Sequence, residues 1–201
     1  MNNSMIKLSY GLFVVTTTYG AIDNGCITNT VMQVTASPNR ISCAINKANY
    51  TCALVQKSRK FNVSIISERA DFALFKHFGF QTGKNVDKFE NLPDYARTEN
   101  GLPYITKGTN AYISANVLYE IDLGTHVLFI ADVVDSADIN DEKSATYAYY
   151  FEHIKPKPQE KASTKTVWQC KICGYEVEAD TLPDGFTCPL CKHPKEDFMK
   201  L

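Results

Sequence analysis

The chain has 201 residues, 44% of them hydrophobic, and sets 21 Lys and Arg against 22 Asp and Glu for a formal net charge of −1. That length allows one sizeable core plus a small appendage, and the near-neutral balance removes the compositional case for a nucleic-acid partner. No apolar run reaches the roughly 18 residues of a membrane span, Met1 to Met5 is too polar to open a signal peptide, and seven cysteines are an odd set for disulfides, so we expect a cytoplasmic protein with reduced thiols.

In chain order, Leu12 to Val15 and the threonines Thr16 to Thr18 predict a strand that Gly20 ends. A second extended stretch is expected over Cys26 to Thr35, stopped by Ser37, Pro38 and Asn39, and a third over Ile41 to Ile45. Asn49 is placed to cap a short helix from Tyr50 to Gln56, followed by a strand in which Phe61, Val63 and Ile65 alternate with polar residues. A second helix is expected from Asp71 to His77, with Phe72, Phe75 and Phe78 on its buried side and Gly79 at its end. Residues 79–103, rich in Gly, Pro, Asn and Asp, form an excursion, after which Ala111 to Asp122 and His126 to Asp135 make a hairpin around Leu123 and Gly124. The pattern is mainly β with two short helices, and a barrel is one way to close such a sheet without leaving an edge.

Residues 155–166 carry no apolar side chain larger than Ala162 and two prolines, Pro156 and Pro158, so they read as a linker between residues 1–154 and 167–201. Twelve extended residues at roughly 3.1 Å each reach about 37 Å. The last segment is acidic, with four basic and six acidic side chains. It also contains Cys170-Lys-Ile-Cys173 and Cys188-Pro-Leu-Cys191, with 14 residues between the two pairs. Four thiolates in two such knuckles define a tetrahedral site for which zinc and iron are the candidates. Spacing alone leaves a structural zinc ribbon and a redox-active iron level. A unit this small folds largely on its metal, and Gly174 offers a position free to take positive φ.

The residues around the cysteines shift the balance toward iron. Trp168, Cys170-x-x-Cys173-Gly174-Tyr175, Leu182-Pro183-Asp184, Phe186, Cys188-Pro189-Leu190-Cys191, Lys195 and Phe198 resemble rubredoxin, the one-iron electron carrier. The resemblance implies one iron on Cys170, Cys173, Cys188 and Cys191. Two departures stand out: Lys192 follows the fourth cysteine where the family has glycine, and Phe186 replaces a tryptophan.

The first 150 residues contain no G-x-G-x-x-G dinucleotide fingerprint. In order, they do contain Gly25-Cys26-Ile27-Thr28-Asn29-Thr30 with Gln33-Val34-Thr35 and Pro38, Asn46-Lys47-Ala48-Asn49-Tyr50-Thr51, Phe61-Asn62-Val63-Ser64, Phe78-Gly79 with Gly83-Lys84 and Val86-Asp87-Lys88-Phe89, and Gly124-Thr125-His126. Together these blocks resemble the flavin reductase-like family, whose fold is a split β-barrel that binds FMN at a homodimer interface. The resemblance implies FMN contacts from Thr28, Asn29 and Thr30, from Ala44, Ile45 and Asn46 along the ring, from Lys47 and Thr51 to the phosphate, and from a flexible cationic patch of Gly83, Lys84 and Lys88. It places His126 near the flavin face where the nicotinamide of NADH or NADPH stacks. Cys26, Cys43 and Cys52 read as small buried hydrophobes, and Tyr147, Tyr149, Tyr150 and Phe151 as core or dimer surface.

The fusion implies an NAD(P)H:rubredoxin oxidoreductase. On this resemblance electrons are expected to leave nicotinamide, pass through FMN to the iron, and go on to an external acceptor such as a flavodiiron protein. The rival reading is a non-enzymatic β-barrel interaction protein with a structural zinc ribbon.

Overall fold

The computed structural model describes residues 4–156 and 166–201, and the chain divides into two compact units, Met1–Pro156 and Lys157–Leu201. Most of the expected linker, 157–165, lies outside the described residues.

The first unit is built on an antiparallel sheet of β1 (Phe13–Tyr19), β2 (Ile22–Thr28), β3 (Met32–Ala36), β4 (Asn39–Asn46), β5 (Lys60–Ile66), β8 (Thr109–Asp122) and β9 (His126–Asp138), in the order β2-β1-β5-β8-β9-β4-β3. A two-stranded pair, β6 (Tyr95–Arg97) and β7 (Pro103–Ile105), lies inside what the sequence presents as an excursion. Helix α1 (Tyr50–Ser58) packs on β1 and β2, and α2 (Phe72–Gly79) on β2.

Burial on β1 shows the period of two that a strand imposes. Phe13 and Val15 face one apolar cluster, with Cys26, Cys43, Cys52, Phe61, Val63 and Phe129. Leu12 and Val14 face a second, with Ile66, Phe75, Phe78 and Tyr150. A strand covered on both sides loses the polar-apolar alternation, which is why β1 reads as a continuous β-former run. Tyr150 packs on Phe75 with ring centroids 4.4 Å apart, so the aromatic segment before the linker contributes core.

The expected barrel is not what forms. The sheet is open, with β2 and β3 as its two edges and no strand ladder joining them. At and just beyond the end of β2 a link to β4 is made by side chains: the Thr28 and Thr30 hydroxyls donate to the Ala44 carbonyl at 3.2 and 2.7 Å. The predicted run Cys26 to Thr35 breaks after Thr28, and the chain leaves β2 before starting β3. The inference from edge avoidance fails because this edge is managed by other means: β3 has only five residues, carries a register shift between Gln33 and Thr35, and runs into Pro38.

In the second unit, β10 (Val167–Cys170), β11 (Glu176–Glu178) and β12 (Phe198–Lys200) form a small sheet in the order β11-β10-β12. Cys170, Cys188 and Phe198 are buried, and Trp168, Tyr175, Val177, Leu182, Phe186 and Leu190 pack around them. The Trp168 indole N–H donates to Ala179 O at 2.9 Å, and Phe186 meets Phe198 edge-on at 5.3 Å.

Candidate functional site

The four tail cysteines converge. Their sulfurs all lie within 4.8 Å of one another, with Cys170 Sγ 3.5 Å from Cys191 Sγ and Cys173 Sγ 3.4 Å from Cys188 Sγ. Metal–sulfur bonds of about 2.3 Å in a tetrahedron require sulfur–sulfur edges of about 3.8 Å, so the sulfurs have close to the right spacing around a single ion. Backbone amides surround them: Tyr175 N–H is directed at Cys173, Leu190 and Cys191 N–H at Cys188, and His193 N–H at Cys191. Hydrogen bonds from the Cys173 and Cys191 thiols hold the Cys188 sulfur far below the usual thiol range, while Cys173 is pushed far above it by its bonds to Cys188 and Cys191. A bound cation favours the thiolate form of its sulfur ligands, which is the form a metal site needs. The donor set is soft and closed, as a structural zinc or a one-iron site demands. Outside the sulfur cluster, Lys192 stands at φ +61°. For an L residue that region costs about 1 kcal/mol or more.

In the first unit the expected flavin residues fall into three groups. Thr28, Thr30 and Ala44 form a hydroxyl-carbonyl cluster, the two hydroxyls 2.8 Å apart and the Ala44 N–H donating back to Thr30 at 3.2 Å. Asn29 lies half-buried beside them. Along β4, Ile45 turns its side chain into the core opposite Val127, and Asn46 stands opposite His126. Lys47 N–H bonds Thr125 O at 3.0 Å, its ammonium pairs with Asp122 at 2.5 Å, and His126 Nδ1 lies 2.8 Å from Thr125 Oγ1. Asn46, Lys47 and His126 therefore share one end of the sheet.

The second group lines an open cleft of about 590 Å³ formed by Ile22, Asp23, Tyr50, Gly83, Lys84 and Asp87 with their neighbours. Here α1 begins. Asn49 makes no side-chain cap bond, so the donors of the first turn are not taken by a cap. A Cβ on Gly83 would overlap the Asn24 side chain, so this loop needs glycine to lie against β2.

The third group is internal. Thr51 is 1% exposed, accepting from Asn24 Nδ2 at 3.3 Å and hydrogen-bonding Cys26. Lys88, expected on a cationic surface patch beside Lys84, is 2% exposed, and its ammonium donates to Gly25 O at 2.8 Å and Phe78 O at 3.0 Å. Burial holds its pKa below the ordinary lysine value. The structure separates the two lysines: Lys84 faces the cleft, and Lys88 pins the loop to β2 and α2. Cys26, Cys43 and Cys52 are buried free thiols whose pKa values burial raises, Cys52 to about 11. Sequence reasoning missed Asn24, Tyr50 and Asp122. Of these, Asn24 and Tyr50 stand inside or against blocks it had singled out, whereas Asp122 meets Lys47 only through the β8–β9 turn.

Residues 5–157 match the family model of the flavin reductase like domain, and residues 168–199 match that of the rubrerythrin, rubredoxin-like domain. The high molecular weight rubredoxin of Moorella thermoacetica is 33% identical over 96% of this chain and 96% of its own length. This chain belongs to that family. It joins a flavin reductase-like oxidoreductase domain to a rubredoxin-like tail, and the reading as a non-enzymatic interaction protein is set aside. The NAD(P)H ferric-chelate reductase of Archaeoglobus fulgidus is 33% identical over 82% of this chain and 96% of its length. Among solved structures, flavin reductase PheA2 is 30% identical with a TM-score of 0.58, covering 72% of this chain and 88% of that one.

Proposed function

We propose that this protein is an NAD(P)H:rubredoxin oxidoreductase that carries its own rubredoxin, with residues 1–154 taking electrons from nicotinamide and residues 167–201 passing them to an external acceptor such as a flavodiiron protein. The observation that carries the reading is the union, in one chain, of the flavin reductase like domain with four sulfurs converged on one point. FMN in the first unit would divide a hydride's two electrons into single ones, which is what an iron held by Cys170, Cys173, Cys188 and Cys191 can accept.

The chain's own groups have definable parts in this scheme. Lys84, Lys47 and the uncapped start of α1 offer positive charge and N–H donors for a phosphate. Thr28, Asn29, Thr30 and Ala44 present a polar edge, with the Thr28 and Thr30 hydroxyls oriented by the Ala44 carbonyl. Asn46 and His126, paired across β4 and β9, stand at the sheet end where a nicotinamide would be positioned, and Thr125 fixes the imidazole. Gly83 lets its loop lie close, and Thr51 and Lys88 act from the interior by holding that loop and β2 in place. Met32, Val34, Tyr119, Ile121 and Leu123, all exposed, support a homodimer built on the β3 edge and the β8–β9 turn.

Absorption of the purified protein tests the scheme. Flavin bands together with ferric-thiolate bands are expected, and anaerobic NADH or NADPH should bleach both. With Cys188→Ser only the flavin should bleach. A colourless protein holding zinc alone would end this proposal.

A further inference from the structure

The two cysteine knuckles are built alike. After Cys173, Gly174 takes φ +72°, its N–H bonds Cys170 O at 2.8 Å, and the turn directs Tyr175 N–H at the Cys173 sulfur. After Cys191, Lys192 takes φ +61°, its N–H bonds Cys188 O at 2.9 Å, and His193 N–H is directed at the Cys191 sulfur. The outer bonds match as well: Cys170 N–H reaches Tyr175 O at 2.7 Å and Cys188 N–H reaches His193 O at 2.8 Å. Both knuckles ask for a left-handed residue at the same place, and only the first supplies the glycine that such a backbone favours.

Packing does not explain the lysine. Its side chain is exposed and has no hydrogen-bond or ion-pair partner among the described residues. Neighbouring ammonium groups are tied down: Lys171 Nζ donates to Glu196 O at 3.4 Å, and Lys195 pairs with Asp184. Lys192 is thus a free cation one residue from a sulfur, in a segment with four basic and six acidic side chains.

We infer that Lys192 tunes the four-sulfur site: its positive charge, carried on the residue next to the ligand Cys191 at the expense of an ideal knuckle, raises the reduction potential and makes the module a readier electron acceptor. This rests on the reading of the site as one iron. Adding one electron to a ferric centre with four thiolates takes its charge from −1 to −2 with no proton required, and a fixed positive charge favours the more negative form. Because Lys192 is exposed, solvent and salt weaken the effect without abolishing it.

The experiment is a redox titration of the full-length protein, followed by its ferric-thiolate absorption at low and high salt, with metal analysis of each sample. Lys192→Gln should shift the one-electron equilibrium about twofold to fivefold toward the oxidised form, or about 20–40 mV lower at 59 mV per tenfold. Lys192→Arg should hold the wild-type potential, and high salt should shrink the gap. Lys192→Gly should lower the potential by a similar amount while raising the melting temperature of the module, since it removes the charge and the backbone strain together. Equal potentials in wild type, Lys192→Gln and Lys192→Gly overturn the tuning role while leaving the iron reading intact. Wild-type protein that contains zinc and lacks ferric-thiolate absorption overturns the iron reading, and the tuning role with it.

Discussion

The first unit buries Val14, Val15, Phe61, Phe78 and Phe129 in two apolar clusters, whereas the tail buries Cys170, Cys188 and Phe198, two of which are sulfur donors. One unit is held by its own side chains, and the other by what its side chains can bind. The polar residues differ in the same way. In the first unit the groups that look most like ligands are partly structural, as Thr51 and Lys88 are, while in the tail the sulfurs have little to do except bind. A binding residue can therefore be deleted from the first unit with graded effects, but not from the second.

The largest effect expected from this contrast is on the tail. Cys188→Ser, or a strong chelator applied to the native protein, should abolish the cooperative melting of residues 167–201 while the first unit's transition moves by no more than about 1 °C. Calorimetry resolves the two transitions, and a tail that still melts cooperatively without metal would erase the contrast. Next comes Lys88→Ala, which leaves Gly25 O and Phe78 O without their donor and opens a void in the loop. We expect a loss of about 3 kcal/mol in the first unit by urea denaturation, with the tail untouched. Burial lowers the Lys88 pKa in the folded state. The folded chain therefore gives up this proton before the unfolded chain does, and stability should gain from this group as pH rises from the folded pKa toward the unfolded value near about 10.4. Lys88→Ala should lack that alkaline gain, and identical slopes in wild type and variant would count against it. The smallest effect belongs to the exposed Lys47, whose loss should leave the melting temperature unchanged and weaken FMN binding about tenfold by fluorimetric titration. Unchanged affinity would remove Lys47 from the proposed phosphate site.

How much of this was legible in the sequence follows the same division. The tail could be read because its information is local: cysteine spacing, flanking aromatics and Gly174 all act within a few residues of one another. The β8–β9 hairpin could be read for the same reason, with its turn at Gly124 (φ +84°). What escaped depends on distant partners. Lys88 looks like surface until the carbonyls of Gly25 and Phe78 are known to surround it, and nothing near position 88 announces them. The open sheet escaped because β-former composition does not distinguish a strand ladder from the side-chain link that Thr28 and Thr30 make to Ala44. The β6–β7 pair escaped because three-residue strands carry no period. It is anchored instead by Asn62, which donates to Leu102 O at 3.1 Å and Pro103 O at 3.2 Å.

Trp168 is the single tryptophan of the chain, and its indole is tied to Ala179 inside the tail. Tryptophan fluorescence excited near 295 nm therefore comes from the tail alone, whatever the eleven tyrosines of the whole chain contribute at shorter wavelengths. A ferric-thiolate chromophore nearby would quench that emission, and zinc, which absorbs no visible light, would not. The intact protein thus carries an internal lamp whose brightness distinguishes the two metals and whose colour reports unfolding of the small unit while the large one stays folded.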